Sequence, residues 1–140
     1  MNDPSGKVWI VGAGPGAPDL LTLRAARVIE QAEVLIWTDS LVNPQVAAMA
    51  PASCERLRTS TLTLEELMAV MLERVQAGKR VVRLHDGDTA LYSALNEQLC
   101  RLLDAEVEVE VVPGLSAYQA TAAALRAELT IPGLVQTIVL

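Results

Sequence analysis

The chain has 140 residues, 51% of them hydrophobic and 3% aromatic, and a formal net charge of −6. That length suits one domain with a sizeable core; the acidic balance speaks against a general nucleic-acid binder, and the shortage of aromatics against a stacking platform for bases. No uncharged run reaches transmembrane length, and MNDPSGK lacks a basic stretch followed by an apolar core, so no secretory leader, membrane partner or nucleic-acid partner is expected and a cytoplasmic location is the default.

The chain alternates strand-like and helical runs. KVWIVG (7–12) is a short apolar run ending at glycine and reads as a strand. Pro18 then suits a first helical turn, where its missing N–H costs nothing, and Leu21, Ala25, Val28, Ile29 and Ala32 follow a helical stripe. EVLIW (33–37) reads as a second strand buried on both faces, followed by a short helix over 43–50 and a weak strand in CERLR (54–58). TLTLEELMAVMLERVQAG (61–78) is the clearest helix: its apolar residues form one stripe, Thr63 and Glu66 have capping-box spacing, and Gly78 stops it. KRVVRL (79–84) is the fourth strand, and DGDTALYS turns into a helix carrying Leu91, Leu95, Leu99 and Leu102. VEVEVV (107–112) is the fifth strand, and PGLS opens an alanine-rich helix. ELTIPGL breaks that helix, and VQTIVL (135–140) reads as one more strand-like run with no turn signal behind it, so a continuation is expected. Strands separated by helices of this length predict an α/β fold: an open, mostly parallel five-stranded sheet with helices on both faces.

The two cysteines, Cys54 and Cys100, fit no metal-ligand spacing and are expected as reduced, partly buried thiols. His85 is the single histidine, which excludes a His-rich metal site, and no metal is expected.

In an open parallel sheet, ligands bind outside the carboxyl ends of the strands. Three glycine-bearing loops fall at such ends: GAGPGAPD after the first strand, HDGDTALY after the fourth and PGLSA after the fifth. The first satisfies a loose G-x-G-x-x-[GA] with Gly12, Gly14 and Ala17, and Asp39 lies downstream as in a dinucleotide site. Pro15 and Pro18, however, remove two donors from the turn that would cradle a pyrophosphate. In the second, Asp86 and Asp88 flank Gly87; they would repel phosphate but suit a sulfonium or an amino group, and Asp88 alternatively caps the next helix. The third is small and neutral; it admits a flat adenine with Ser116 as a polar handle, or is an ordinary helix start capped by Ser116.

Together these residues resemble the tetrapyrrole methyltransferase family over about residues 8–140. The family's opening GxGPGxxxLLT is matched by Gly12, Gly14, Pro15, Gly16, Leu20, Leu21 and Thr22. Its GD(P) loop with an aromatic four positions after the Asp is matched by Gly87, Asp88 and Tyr92, and its VPG-x-[ST] by Val112, Pro113, Gly114 and Ser116. WTDSLV (37–42), RLHDGD (83–88) and AELTIPGLVQTIVL (127–140) are similar to the subgroup that methylates precorrin-4 at C-11. The uroporphyrinogen-III subgroup carries a VGKR-like segment where this chain has RLRTSTLT.

The resemblance implies S-adenosylmethionine as co-substrate and an anionic tetrapyrrole as small-molecule substrate. The cofactor would meet Gly14, Pro15 and Gly16, the loop Asp86-Gly87-Asp88, Leu91, and the pair Ser116-Ala117. Thr89 replaces the family's usual Pro and Ser93 its frequent Gly, and Thr89 restores an N–H that loosens the loop. The family has two domains and usually dimerises, so 1–134 would be the amino-terminal domain, 135–140 the start of the connection to a second domain that completes the site, and a homodimer the expected assembly.

Methyl transfer from a sulfonium is an in-line displacement at carbon and needs positioning and desolvation more than a protein nucleophile. A proton leaving the substrate would have Asp39 or Asp88 as acceptor, although Asp39 suits equally well the orienting of its own loop. His85 reads better as a packed strand-end residue than as a catalytic one. Arg24, Arg56, Arg58 and Arg83 are candidates for substrate carboxylates, or ordinary surface charges. Two other functions stay open: a nucleotide-dependent oxidoreductase, resting on the first loop and Asp39, and a non-catalytic interaction module.

Overall fold

The computed structural model describes residues 6–140; the reading of the first five residues as free of a leader falls outside them. The elements run β1 (Lys7–Gly12), α1 (Leu23–Ile29), β2 (Val34–Trp37), α2 (Pro44–Ala47), β3 (Glu55–Arg58), α3 (Leu64–Gln76), β4 (Arg80–His85), α4 (Leu95–Asp104), β5 (Glu108–Val112) and α5 (Ala117–Ala124). The sheet has five strands in the order β3-β2-β4-β1-β5, and every pairing is parallel.

Parallel neighbours need crossovers long enough to return to the starting edge, and the helices between the apolar runs supply them. Side chains along a strand alternate between faces, so each inner strand feeds two cores. Val8 and Ile10 of β1, Val34 and Ile36 of β2 and Val81 of β4 pack with Leu67, Met68, Met71 and Val75 of α3 and Leu102 of α4. Val11, Leu35, Trp37, Val82 and Leu84 face the other way, against Ala25 and Ile29 of α1 and Val46 and Ala47 of α2. The α3 stripe expected from the sequence is the buried one, and Thr63 and Glu66 form the capping box at its start.

Four local expectations are corrected. Pro18 lies in a separate single turn of 3-10 helix (Pro18–Leu20), and α1 starts later, where the Thr22 side chain accepts from Ala25 N. Leu91 is not helical: Tyr92 and Ala94 adopt left-handed backbone with φ of 55° and 52°, and α4 begins at Leu95. VQTIVL is not a strand; its one backbone bridge joins Val135 to Ile131, and Val135, Ile138 and Val139 are exposed. Alternation makes a strand only where a neighbouring edge accepts it, and this run pairs with neither edge strand of the sheet. Cys54 is buried as expected, but Cys100 is exposed on the outer side of α4.

Candidate functional site

Register brings the three glycine loops to one rim. Gly12 of β1 lies opposite His85 of β4, and Val11 lies opposite Val112 of β5. The loops after β1, β4 and β5 therefore leave at one level. The chain after β1 turns toward α1 on one face and the chain after β4 toward α4 on the other, the arrangement that opens a crevice in doubly wound sheets.

The loops are joined backbone to backbone. Gly14 N donates to Gly87 O at 3.1 Å and Gly87 N to Gly14 O at 2.8 Å, while Ala13 N donates to His85 O at 2.7 Å. Asp88 ties in the third loop: Oδ1 accepts from Gly114 N at 2.9 Å and Oδ2 from Ala90 N at 3.2 Å. Such contact leaves no space for a side chain. A Cβ on Gly114 would stand 2.2 Å from Gly87 O, and one on Gly12 would stand 2.6 Å from the same oxygen. Gly14 (φ 74°) and Gly87 (φ 57°) also need left-handed backbone, which glycine adopts without penalty.

A cleft of about 340 Å³ opens on this junction. Gly14 and Pro15 line it from the first loop, Asp86, Gly87, Asp88 and Leu91 from the middle one, and Ser116 and Ala117 from the third. Gly16 does not line it; its carbonyl accepts from Asn43 Nδ2 at 2.8 Å, fastening the first loop to the start of α2. Leu41, Tyr92, Tyr118 and Leu140 complete the lining. Tyr92 entered the sequence reading only as part of a motif, and Leu41 and Tyr118 did not enter as site residues. The rule that ligands sit at carboxyl strand ends points to Leu41, which follows β2, as surely as to the glycine loops.

Asp39 lies outside the cleft lining. Its Oδ1 accepts from Ser60 N at 3.0 Å and its Oδ2 from Ser60 Oγ at 2.7 Å, so it braces the loop after β2 against the turn after β3. The Ser60 hydroxyl, and then its N–H, hold the Asp39 carboxyl below the usual aspartate range. The dinucleotide reading loses its second support, since Asp39 is committed to Ser60 and α1 starts at Leu23, beyond the fingerprint.

His85 is buried, and desolvation together with the charge of Arg83 pushes it down to about 3, so the ring is neutral at physiological pH. Arg83 is buried too; its Nη1 donates to Thr38 Oγ1 at 3.1 Å and Leu84 O at 2.9 Å, and burial lowers it to about 10. Arg56 Nη2 donates to Ala50 O and Pro51 O at 2.7 and 3.1 Å. Both arginines thus serve the fold, whereas Arg24 is largely exposed, 3.8 Å from Glu110, and Arg58 is exposed at the end of β3. Ser116 is buried at the start of α5, where its N–H donates to Gln119 Oε1 at 2.9 Å.

The cleft's composition fits a nucleoside with a cationic substituent. Its volume lies within the roughly 300–1,000 Å³ usual for small-molecule sites. Its walls are backbone and small or apolar side chains, and its charged groups are the two carboxylates Asp86 and Asp88.

Comparison with known proteins agrees with this geometry. Residues 7–140 match the family Tetrapyrrole (Corrin/Porphyrin) Methylases. The cobalt-precorrin-4 C(11)-methyltransferase of Priestia megaterium is 46% identical over 134 residues, covering 96% of this chain and 52% of that protein. The X-ray structure of a cobalamin biosynthetic enzyme, cobalt precorrin-4 methyltransferase, superimposes with a TM-score of 0.92 at 45% identity, covering 95% of this chain and 56% of that one. The uroporphyrin-III C-methyl transferase of Thermus thermophilus complexed with S-adenyl homocysteine gives a TM-score of 0.74 at 36% identity, over 92% of this chain and 52% of that one. The chain spans about half the length of the curated relatives it matches. With its three motifs gathered on one rim and the match running from Lys7 to Leu140, the chain belongs to the tetrapyrrole methylase family.

Proposed function

We propose that this chain is the amino-terminal part of an S-adenosylmethionine-dependent C-methyltransferase of corrin-ring biosynthesis, acting on precorrin-4 or cobalt-precorrin-4 at C-11. The observation that carries the reading is the meeting of Pro15, Asp88 and Ser116, from three distant parts of the sequence, in one cleft. The identity to cobalt-precorrin-4 C(11)-methyltransferases supports the choice within the family.

S-adenosylmethionine, when bound, supplies an electrophilic methyl group. The protein's part is to bind, orient and exclude water. In this reading Ser116 and Ala117 meet the nucleoside, the Gly14–Gly87 backbone forms the floor, and Asp86 and Asp88 favour the positive charge. The nucleophile is a ring carbon, so no protein nucleophile is required. Asp88 and Asp39 are the two proposed acceptors for a ring proton, and both hold their oxygens on donors: Asp88 on the N–H groups of Gly114 and Ala90 in the cleft, Asp39 on the N–H and hydroxyl of Ser60 outside its lining. Asp39 sits on the same loop as Leu41, and replacing it with Asn would lower turnover without weakening cofactor binding.

Residues 1–134 are proposed as one domain, with 135–140 leading to a second that closes the cleft and meets the substrate. The longer relatives and the exposed Leu134, Val135, Ile138 and Val139 support this. A homodimer is the proposed assembly of the complete enzyme.

Calorimetry tests the reading. The 140-residue chain should bind S-adenosylhomocysteine more weakly than micromolar, show little or no turnover, and ignore an NAD analogue. A form extended to the relatives' length should bind at least about tenfold tighter, a gain of ~1.4 kcal/mol, and turn over. Binding of the NAD analogue with no response to S-adenosylhomocysteine would reject the methyltransferase in favour of the oxidoreductase.

A further inference from the structure

The middle loop places Leu91 and Tyr92 in the cleft, and its course is conformationally unfavourable. Tyr92 and Ala94 are both left-handed, and neither is a residue that adopts this region readily. Two such residues within three positions persist only where their surroundings over-determine them. Inside the loop, the Ser93 hydroxyl donates to the Thr89 carbonyl.

From outside the loop, one turn into α4, Gln98 reaches back. It is 1% exposed, and its Nε2 donates to Ser93 O at 3.1 Å and Ala94 O at 3.3 Å. The same nitrogen lies 3.4 Å from His85 Nε2 at the end of β4. Its Oε1 is buried and, among the described residues, has no partner. Around it α4 turns Leu95, Leu99 and Leu102 toward the core, where an apolar residue would avoid an unpaired acceptor. Core packing therefore does not account for an amide here; the two loop carbonyls that its NH₂ group meets, Ser93 O and Ala94 O, do.

We infer that Gln98 is a positioning residue, pinning the left-handed course of residues 92–94 between α4 and the end of β4 and so setting Leu91 and Tyr92 against the cleft. The link to ligand binding rests on the cofactor reading above; the hold on the loop does not.

The experiment compares the native chain, Gln98→Leu, and Gln98→Leu combined with Ala94→Gly. The readouts are backbone amide exchange, followed by peptide mass spectrometry, and S-adenosylhomocysteine titration. In Gln98→Leu the peptide over 89–95 should exchange about tenfold faster, as loss of hydrogen bonds to a fixed loop predicts. Peptides from the end of α4 and from β5 should be unchanged, and affinity should fall by a similar factor. The added glycine should restore much of that affinity, because it adopts left-handed backbone without a Cβ penalty, a rescue that a purely core-packing role would not produce. Unchanged exchange over 89–95, or faster exchange spread evenly over α4 and β5, overturns the inference. If exchange rises only in the loop but the native chain ignores S-adenosylhomocysteine, the hold on the loop stands and the cofactor reading fails. If Gln98→Leu does not fold, Gln98→Met keeps the side-chain length without the amide and is read by the same criteria.

Discussion

At the amino-terminal end of the sheet, side chains do the joining. Lys7 Nζ reaches Glu108 and Glu110 at 2.8 and 3.1 Å, Lys7 and Arg80 lie 5.1 and 5.0 Å from the Trp9 ring centroid, and Glu33 accepts from Arg80 N at 2.9 Å. At the carboxyl rim, 85–88 meets 12–14 and 114 through main-chain atoms, a single carboxylate and glycines that no Cβ can replace. The first kind of junction tolerates substitution, because exposed ion pairs are individually weak. The second has no slack, because backbone in van der Waals contact cannot move aside. Where three loops meet through main-chain atoms, the sequence is constrained to glycine at the points of contact.

Substitutions can break or sharpen that contrast. The largest effect is expected at the rim: Gly114→Ala should lose on the order of 3 kcal/mol or more, since the new Cβ would meet backbone rather than a movable side chain. Urea unfolding measures it, and a loss below about 1 kcal/mol would show that the three loops can part.

Next comes the pH response of His85 behind the rim. Its folded value of about 3 lies below the ordinary 6.5, so its contribution is complete above pH 6.5 and is lost as pH falls toward 3. The slope should approach about 1.4 kcal/mol per pH unit. Glu33, Glu55 and Glu110 are also held low, by Arg80 N, Arg74 and Lys7 respectively, and they add their own acid sensitivity only below about pH 4.5. Denaturation between pH 6.5 and 4.5 should therefore show the slope in the native chain and its absence in His85→Gln.

Asp88→Ala is expected to be milder, about 1.5–3 kcal/mol at most for the charged hydrogen bond to Gly114. It should also cost affinity for S-adenosylhomocysteine, whereas Asp39→Asn should leave that affinity unchanged; paired titrations check both. Smallest is Lys7→Met at the opposite end, at no more than about 1 kcal/mol and falling with added salt. If Lys7→Met proved as damaging as Gly114→Ala in thermal melts, the contrast between the two ends would be false.

The architecture was legible because its signals are local and redundant: apolar runs of strand length, a capped helix at 63–76, and glycines at three strand ends. The cleft was legible for the same reason, as Pro15, Asp88 and Ser116 each sit within two positions of such a glycine. What escaped depends on contacts between distant residues. The leucine spacing from Leu91 to Leu102 continues the helical period into a loop that the left-handed Tyr92 and Ala94 interrupt, and nothing local in ALYSAL announces them. VQTIVL has strand composition without a strand to pair with. Arg83, read as a candidate for substrate carboxylates, is consumed by carbonyls and a hydroxyl at the ends of β2 and β4. Tyr118 becomes a cleft residue only once the sheet order is known.

The reciprocal bonds between Gly14 and Gly87 form a two-rung antiparallel ladder attached to an otherwise parallel sheet. It fuses two loops more than seventy positions apart into one rigid plate, so the entropy of arranging them is met when the chain folds and not when a guest arrives. On the proposed function, closure around a methyl donor should therefore come from parts that approach the plate, while the plate itself stays still.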